Sequence, residues 1–468
     1  MTQDPLAFRE ASKKAVHDPR LKQALGRIKG HFQLARRFAS SDFPDFDALR
    51  SQGAAIREHS ITHLHSLLDE FEKSVTTRGG QVHWARDATE ARQIVIDILK
   101  RSGARRVTKG KSMVSEEIGL NDALLAHGIV PIETDLGEYI IQLRHEPPSH
   151  IIAPAFHLNK EDVADTFRAA HSKLDPARDL SDRSALVGEA RAMLRAAFEG
   201  ADAGITGANF LTAREGAALI VTNEGNGDLT RLLPRTHIVV TGIEKVVPDL
   251  NAASVLLRLL TRSATGQPIT SYVSVMSGPH SEEMADGPRE FHVVLVDNGR
   301  TRLLGTPAQA TLRCIRCAAC LNHCPIYGAV GGHAYGATYP GPIGAALNPN
   351  LLGISEAHHH PNASTFCGRC AEVCPVKIPL PTIMRYWRAR EYAAGLPPIT
   401  YRAGLGLWAF AAKRPLLYRL GTRLASRVLK KLAKDGRIRA LPVAGGWFAI
   451  RDLPEPQGKT FMEQFNSP

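Results

Sequence analysis

The chain has 468 residues, of which 44% are hydrophobic and 22% are charged. This size and composition are typical of a soluble globular protein with two or three domains. The first ten residues lack the basic and apolar regions of a signal peptide, and the longest apolar stretch near the C-terminus, residues 403–412, is about half of a membrane span. We therefore expect a cytoplasmic protein rather than an integral membrane protein.

The net charge of +12 is concentrated towards the C-terminus, where residues 385–439 contain fourteen Lys or Arg and two Asp or Glu. Such a segment binds nucleic acid, anionic lipid or an acidic protein, or is simply a solvated helix face. No nucleic-acid-binding motif accompanies it. We therefore expect no nucleic acid partner and consider peripheral binding at the inner membrane face or to a partner protein.

The hydrophobic pattern divides the chain into four regions. Residues 1–75 carry apolar residues at helical spacing, and residues 76–300 alternate short apolar runs with amphipathic segments, which predicts a mostly parallel α/β sheet. Residues 301–385 hold every cysteine, and residues 386–468 are basic and helical with an extended tail. The predicted strands are 82–85, 104–108, 130–133, 150–154, 217–222, 237–241, 271–276 and 292–297.

The first cysteine run reads C-x2-C-x2-C-x3-C-P, from Cys314 through Cys317 and Cys320 to Cys324 and Pro325. This spacing is typical of bacterial ferredoxins, in which the first three thiolates bind one cubane and the fourth binds the neighbouring cluster. All seven cysteines lie between 314 and 374, and such clustering in an intracellular chain favours metal binding over disulfides.

The second run lacks one cysteine, because Ser364 stands three residues before Cys367. Crossed ligation then predicts a [4Fe–4S] cluster held by Cys314, Cys317, Cys320 and Cys374. It predicts a second cluster held by Cys324, Cys367 and Cys370. The incomplete second set is compatible with a [4Fe–4S] cluster completed by Ser364 or another oxygen or nitrogen ligand, with a [3Fe–4S] cluster, or with an open iron site.

Structural zinc is the competing interpretation, because the two C-x2-C pairs together could supply a tetrahedral all-thiolate site. That interpretation leaves the other three cysteines and both Cys-Pro pairs without a role. Iron–sulfur clusters are therefore favoured.

Polar turns follow several predicted strands of the α/β region. Gly110-Lys111-Ser112 is similar to the end of a phosphate-binding loop, but Arg105 stands where that loop requires glycine, and no dinucleotide-binding fingerprint is present. Residues 207–209, 223–226 and 241–245 are further polar turns. Since ligands of open α/β sheets bind at the carboxyl ends of strands, these turns are compatible with a pocket there.

The chain closely resembles the lactate-utilisation protein B family, the iron–sulfur subunit of a three-protein lactate-oxidation system. The resemblance rests on both cysteine runs and on seven further segments. These segments read GGQVHWA at 79–85, KSMVSEEI at 111–118, ETDLGEYIIQL at 133–143, PSHI at 148–151, TGIEK at 241–245, GGHAYG at 331–336 and YPGPIG at 339–344.

The resemblance implies a LUD α/β domain, similar in fold to the sugar-phosphate isomerase and CoA-transferase superfamily, fused to a ferredoxin-like iron–sulfur domain and a basic helical C-terminal region. It implies a subunit of an L-lactate-oxidising oxidoreductase complex. We expect this subunit to pass electrons to a membrane-surface or quinone-linked acceptor. The expected partners are a cysteine-rich subunit and a small LUD-only subunit.

Two alternatives to electron transfer stay open. In the first, this chain itself binds lactate in the LUD cleft near Lys111, Glu116 and Glu244. In the second, the protein is a redox-sensing scaffold or regulator, so that loss of the clusters changes partner binding and leaves electron flow intact. No catalytic residue is predicted.

Overall fold

The computed structural model describes residues 4–110, 112–281, 286–441, 448 and 451–465. The chain folds into two compact units, Met1–Glu391 and Tyr392–Pro468. The strands of the first unit are β1 Gln81–Ala85, β2 Arg106–Gly110, β3 Val130–Glu133, β4 Ala203–Thr206, β5 Phe210–Thr212, β6 Ala217–Thr222, β7 Thr236–Gly242, β8 Val246–Val247, β9 Tyr272–Met276 and β10 Glu290–Val296.

The helices of the first unit surround two sheets and cover the cysteine-rich segment. They are α1 Phe8–Ala15, α2 Pro19–Ile28, α3 Leu34–Ser41, α4 Phe46–Thr62, α5 Leu64–Thr77, α6 Ala88–Arg101, α7 Met113–Glu117, α8 Leu120–Ala126, α9 Leu136–Leu143, α10 Lys160–Ala170, α11 Arg183–Glu199, α12 Asn226–Leu232, α13 Leu250–Ala264, α14 Ala319–Asn322, α15 Tyr327–Val330, α16 Gly341–Leu351, α17 Ile354–Ala357, α18 Arg369–Glu372 and α19 Leu380–Ala393.

The main sheet is parallel throughout and has the strand order β1-β10-β7-β4-β2-β3. Val293 of β10 lies in register between Val82 and Val239, and it is fully buried. Central strands of a parallel sheet are covered on both faces, which explains their continuous apolar sequences. The predicted parallel α/β architecture is confirmed.

A smaller sheet has the order β8-β5-β6-β9. Its β6 pairs antiparallel with β5 and β9, whereas β5 and β8 are parallel. The sequence pattern did not predict β4, β5 or β8. Strand β4 contains Gly204, where a Cβ atom would lie 1.8 Å from the Thr230 carbonyl oxygen, so close approach of α12 requires glycine inside a central strand.

The predicted strand at 150–154 is wrong, because this segment forms turns. His150 is buried and its Nε2 lies 2.9 Å from Asn322 Oδ1, while Ser149 accepts the Tyr327 hydroxyl at its carbonyl oxygen. The segment is therefore held by side-chain and carbonyl contacts to the cysteine-rich region and not by a neighbouring strand.

Helix starts in the α/β region follow local capping chemistry. Asp87 accepts the backbone N–H groups of Thr89 and Glu90 at 2.9 Å before α6. Asn159 and Asp162 form a reciprocal capping box before α10. Such caps satisfy amide groups that have no partner within the helix, which explains why these helices begin where they do.

One hydrophobic core joins the N-terminal helices to the cysteine-rich segment. It contains Ile28 of α2, Leu49 of α4, Leu256 of α13 and, from the cysteine-rich segment, Leu321 and Ile343. The two faces of the parallel sheet have separate cores, one with α6 and α8 and the other with α5 and the smaller sheet. The first helices therefore pack directly beside the cysteine loops.

The second unit contains two long helices, α20 Ile399–Ala412 and α21 Pro415–Leu432, followed by the short strands β11 Arg437–Ile438 and β12 Leu453–Pro454 and a helix over Phe461–Phe465. The strands β11 and β12 pair antiparallel. Neither α20 nor α21 has a buried residue. Within the described part of the chain, no helix combines the length and apolar content needed to cross a bilayer.

Candidate functional site

The two cysteine runs fold into loops of the same conformation. In the first loop Arg316 and Ala318 adopt left-handed φ angles of 60°, and α14 follows. In the second loop Phe366 and Gly368 have φ angles of 53° and 82°, and α18 follows. Left-handed backbone is unfavourable for residues other than glycine, so its recurrence marks a shape that the loops must adopt.

Ser364 occupies the place of Cys314 in this repeated loop. The backbone N–H of Arg316 donates to Cys314 Sγ at 3.4 Å, and the backbone N–H of Phe366 donates to Ser364 Oγ at 3.1 Å. The side-chain oxygen of Ser364 therefore accepts a hydrogen bond from the backbone amide that corresponds in position to the one donating to the Cys314 sulfur.

Each of two cavities takes cysteines from both loops. The first, of about 360 Å³, is lined by Cys314, Cys317 and Cys320 of the first loop together with Cys374 of the second. The second, of about 320 Å³, is lined by Cys367 and Cys370 of the second loop together with Cys324 of the first. Ser364 also lines the second cavity.

Several of the thiols in these cavities are strongly desolvated. Burial raises the pKa of Cys317 and Cys320, and it raises the pKa of Cys374 to about 11 and that of Cys370 to about 12. A buried thiol becomes a thiolate only when a cation compensates its charge, as a bound metal centre does. The apolar remainder of the first cavity, including Ile151, Ile343 and Ile378, limits access of water.

These cavities fit iron–sulfur clusters better than zinc. The four thiols that the zinc interpretation would join are divided between the two cavities. Among the residues that the structure describes, no group of three or more His, Cys, Asp or Glu side chains is arranged to hold a single metal ion. All seven cysteines are free of disulfides.

The N-terminal helices hold the loops from outside. Arg50 donates to the Cys374 carbonyl oxygen at 2.8 Å and to the Glu372 carbonyl oxygen at 2.6 Å, and Arg36 donates to the Val373 carbonyl oxygen at 2.8 Å. Guanidinium groups present several donors in a fixed plane, so they suit the clustered carbonyl oxygens at the end of a short helix.

A buried ionic network connects the α/β region to the first cysteine loop. Arg300 donates to both carboxylate oxygens of Glu117 at 2.8 Å, and its Nε donates to Glu244 Oε2 at 2.5 Å. Arg316 Nη2 lies 3.4 Å from Glu244 Oε1, and its guanidinium stacks 4.3 Å from the centre of the Tyr339 ring. The Tyr339 hydroxyl donates to Glu117 Oε2 at 2.7 Å, which closes the network.

The network fixes the charge of Glu244. Burial alone would raise the pKa of this carboxyl, but the charges of Arg300, Lys245 and Arg316 outweigh it and hold the pKa at about 2. Sequence reasoning missed Arg300 and Arg316. The one local signal was an arginine inside the first C-x2-C pair.

Glu116 and Glu244, the two described residues of the predicted lactate alternative, pair with different partners. Lys111 lies outside the described residues. Glu116 pairs with Lys109 at 2.9 Å, and Glu244 is bound by Arg300 and Arg316. Ser112, next to Lys111, is buried at the start of α7 and donates to the Val240 carbonyl oxygen at 3.1 Å.

A larger cleft of about 900 Å³ lies beside the first cysteine cavity. Two of the polar turns noted in the sequence contribute to it, through Asn209 and Asn223. Neither Glu116 nor Glu244 is among its lining residues. Arg316 and Ile151 line both the cleft and the first cysteine cavity.

Comparison with known proteins identifies three family regions. Residues 68–296 match the LUD domain, residues 310–378 match the 4Fe-4S dicluster domain, and residues 398–467 match the C-terminal region described as lactate utilisation protein B, C-terminal. A solved structure of a DUF162 family protein from Deinococcus radiodurans aligns with 50% of this chain and 98% of its own length, at 14% identity and a TM-score of 0.28, which is too loose to support any inference.

Several relatives that match nearly the whole chain are named lactate utilization protein B. Lactate utilization protein B of Bacillus subtilis strain 168 is 41% identical over 462 residues, covering 98% of this chain and 96% of the relative. The protein of that name from Bacillus velezensis has the same identity and coverage. The one from Oceanobacillus iheyensis is 40% identical over 460 residues, covering 97% of this chain and 95% of its own.

Proposed function

Because the chain belongs to the lactate utilization protein B family, with its iron–sulfur domain and its role in lactate utilisation, we propose that it is the electron-transfer subunit of a complex oxidising L-lactate to pyruvate. The observation that carries this proposal is the crossing of the two loops, with Cys374 in the first cavity and Cys324 in the second. When each loop supplies a ligand to the other loop's cluster, the two clusters must be neighbours, and an electron relay needs such neighbouring clusters.

In this proposal Cys314, Cys317, Cys320 and Cys374 hold a [4Fe–4S] cluster. Cys324, Cys367 and Cys370 hold the second cluster, with Ser364 as its fourth ligand. When bound, such clusters supply one-electron steps, whereas lactate oxidation releases two electrons. The Ser364 position supports a four-iron second cluster, because its oxygen stands where the first loop presents the Cys314 sulfur.

The protein around the cavities contributes burial and hydrogen bonds that set reduction potentials. The N–H of Arg316 donates to the Cys314 sulfur, and the N–H of Ile378 donates to the Cys374 sulfur at 3.4 Å. Hydrogen bonds to sulfur stabilise the reduced state of a cluster, which carries more negative charge. An apolar wall destabilises that same state.

The test is anaerobic purification followed by iron and acid-labile sulfide analysis and electron paramagnetic resonance. We expect about eight irons per chain for two four-iron clusters. The variants Cys374→Ala and Cys317→Ala should alter the same resonance although they belong to different runs, and Cys367→Ala should alter the other. A colourless protein, zinc in place of iron, or Cys374→Ala altering the same resonance as Cys367→Ala would refute the proposal.

We further propose that the partners are a cysteine-rich subunit and a small LUD-only subunit, and that the second unit binds an anionic membrane surface where the acceptor is located. In α21 the exposed side chains of Leu416, Leu420, Leu424 and Val428 recur every four residues. Arg419, Arg423 and Arg427 form a parallel basic stripe. Apolar and basic stripes together are typical of helices that lie in a membrane interface.

A further inference from the structure

We propose that the cleft beside the first cysteine cavity binds a small 2-hydroxy acid such as L-lactate, with Arg316 receiving the carboxylate. This inference rests on the proposed function, since it places the electron donor next to the first cluster. A three-carbon acid is small enough to occupy only the part of the cleft next to Arg316.

Arg316 lines the cleft and has unused donor capacity. Its side chain is 9% exposed, its Nη2 contacts Glu244, and its face covers Tyr339. Its Nη1 is buried and, among the described residues, has no hydrogen-bond partner. An unpaired buried donor of a charged group is costly, and a carboxylate is the ligand that guanidinium geometry matches.

The fold of the cysteine loop does not itself require this arginine. The equivalent position of the second loop is Phe366, which has the same left-handed backbone and the same donation from its N–H to the side chain two residues earlier. The guanidinium of Arg316 is therefore explained by what it contacts, namely Glu244, Tyr339 and the cleft.

The rest of the cleft is complementary to a hydroxy acid. Asp135 and Glu138, at the start of α9, supply carboxylate acceptors, and Asp135 is oriented by the N–H groups of residues 137 and 138 at 3.1 and 3.4 Å. Since an ionised carboxylate has about four acceptor sites, each of these groups can accept a substrate hydroxyl in addition to its partners within the protein, whereas a 2-oxo acid offers no donor. Ile152 and Leu260 add apolar surface for a methyl group.

The cleft is also placed for electron transfer. Arg316 and Ile151 form part of the wall of both the cleft and the first cysteine cavity. A ligand whose carboxylate contacts Arg316 is therefore separated from that cavity by a single layer of side chains.

The experiment is calorimetric titration of the full-length protein, prepared anaerobically and shown by iron and sulfide analysis to hold its clusters. The ligands are L-lactate, D-lactate, pyruvate and acetate. We expect L-lactate to bind more tightly than pyruvate and acetate. Arg316→Gln should weaken L-lactate binding at least about tenfold, and Arg316→Lys should weaken it less, because the charge remains.

A second variant tests the cleft without touching the cysteine loop. Ala264→Leu adds bulk to a lining residue of α13, and Ser254→Leu adds bulk at an exposed position of the same helix as the matched control. We expect Ala264→Leu to abolish L-lactate binding and Ser254→Leu to leave it unchanged, with iron content and resonance spectra unaltered in both.

The inference and the proposed function fail in different ways. Cluster-loaded protein that binds none of the acids, that prefers pyruvate, or that binds L-lactate normally after Ala264→Leu overturns the inference and leaves the electron relay standing. Normal L-lactate binding by cluster-loaded Arg316→Gln also overturns it. If Arg316→Gln loses its clusters, the inference is judged by whether Ala264→Leu abolishes L-lactate binding. Protein without iron overturns the proposed function itself.

Discussion

At the scale of single residues, the proposed function makes Ser364 the fourth ligand of the second cluster, the ligand that separates a four-iron from a three-iron centre. Its Oγ accepts the Phe366 N–H as the Cys314 sulfur accepts the Arg316 N–H. It also lines the second cysteine cavity. If Ser364 is a ligand, as proposed, the second cluster has four protein ligands.

We predict that Ser364→Ala lowers the iron content from about eight to about seven per chain and gives the resonance of an oxidised three-iron cluster. Ser364→Cys should keep about eight irons and shift the reduction potential of the second cluster, since a thiolate replaces an oxygen. Thr365→Ala, at an exposed neighbour that also lines the cavity, is the control. A full eight irons in Ser364→Ala would show that Ser364 is not a ligand.

At the scale of elements, strand β7 carries a buried histidine in the middle of the parallel sheet. His237 is 1% exposed, and its Nε2 lies 2.8 Å from Thr206 Oγ1 of the adjacent β4. Burial, helped by the charge of Arg231, lowers the pKa of His237 to about 3. The folded protein therefore keeps this ring neutral where the unfolded chain would protonate it.

The pH dependence follows from this difference. The unfolded chain binds a proton at His237 below about pH 6.5, and the folded chain does so only near pH 3, so stability falls as the pH drops through that window. When the pH is lowered from 7.5 to 5.5, we expect this residue to lower the free energy of unfolding by about 1.4 kcal/mol. The free energy of unfolding measured with urea should therefore fall less between these pH values in His237→Gln than in the wild type, by that amount.

An exposed histidine provides the comparison for this experiment. His127 lies on the surface after α8, so His127→Gln makes the same chemical change without altering the sheet. If His237→Gln and the wild type lose the same stability between the two pH values, the ring of His237 is not held neutral by burial.

For helix α21 we predict binding to anionic membranes through its apolar stripe. Leu420→Asp combined with Leu424→Asp places two charges in the apolar stripe and should abolish sedimentation with phosphatidylglycerol vesicles. Thr422→Asp combined with Ser426→Asp adds the same charge on the opposite side, since residues two apart lie about 200° around a helix. It should retain most of the binding.

Binding should also weaken with salt, because part of it comes from the basic stripe. If the Leu420→Asp, Leu424→Asp protein still binds vesicles, the apolar stripe does not contact the membrane and must bind another partner. Loss of binding to both proposed partner subunits in that variant would favour a protein interface.

At the scale of the whole molecule, Arg57 ties the LUD region to the cysteine-rich region. It is 1% exposed and donates to the carbonyl oxygens of Val246 at 3.1 Å and Leu312 at 2.9 Å, and to those of Glu244 and Arg313. Desolvation lowers its pKa to about 10, so the side chain keeps its charge at neutral pH.

We predict that Arg57→Met lowers the free energy of unfolding by at least about 3 kcal/mol, because several buried carbonyl oxygens lose a charged donor together. The measurement is the urea midpoint of anaerobic protein, with exposed Arg9→Met as the control. A midpoint equal to that of the control would mean that these carbonyl oxygens find other donors.

Sequence and structure agree most closely where the information is local. The cysteine spacing predicts two loops, and both loops adopt the same left-handed turns. The continuous apolar run at residues 293–296 predicts a strand buried on both faces, and β10 is that strand. The family and the fold class predicted from the sequence motifs are confirmed.

The sequence by itself determined what depends on spacing: the cysteine loops, the α/β alternation and the basic helical C-terminus. Only the tertiary structure decided which distant side chains meet. Arg316 joins Glu244, Tyr339 and the cleft, and the N-terminal helices share a core with the cysteine loops. The physical reason is that periodicity and turn chemistry act over a few residues, whereas burial and charge pairing depend on how complete elements pack.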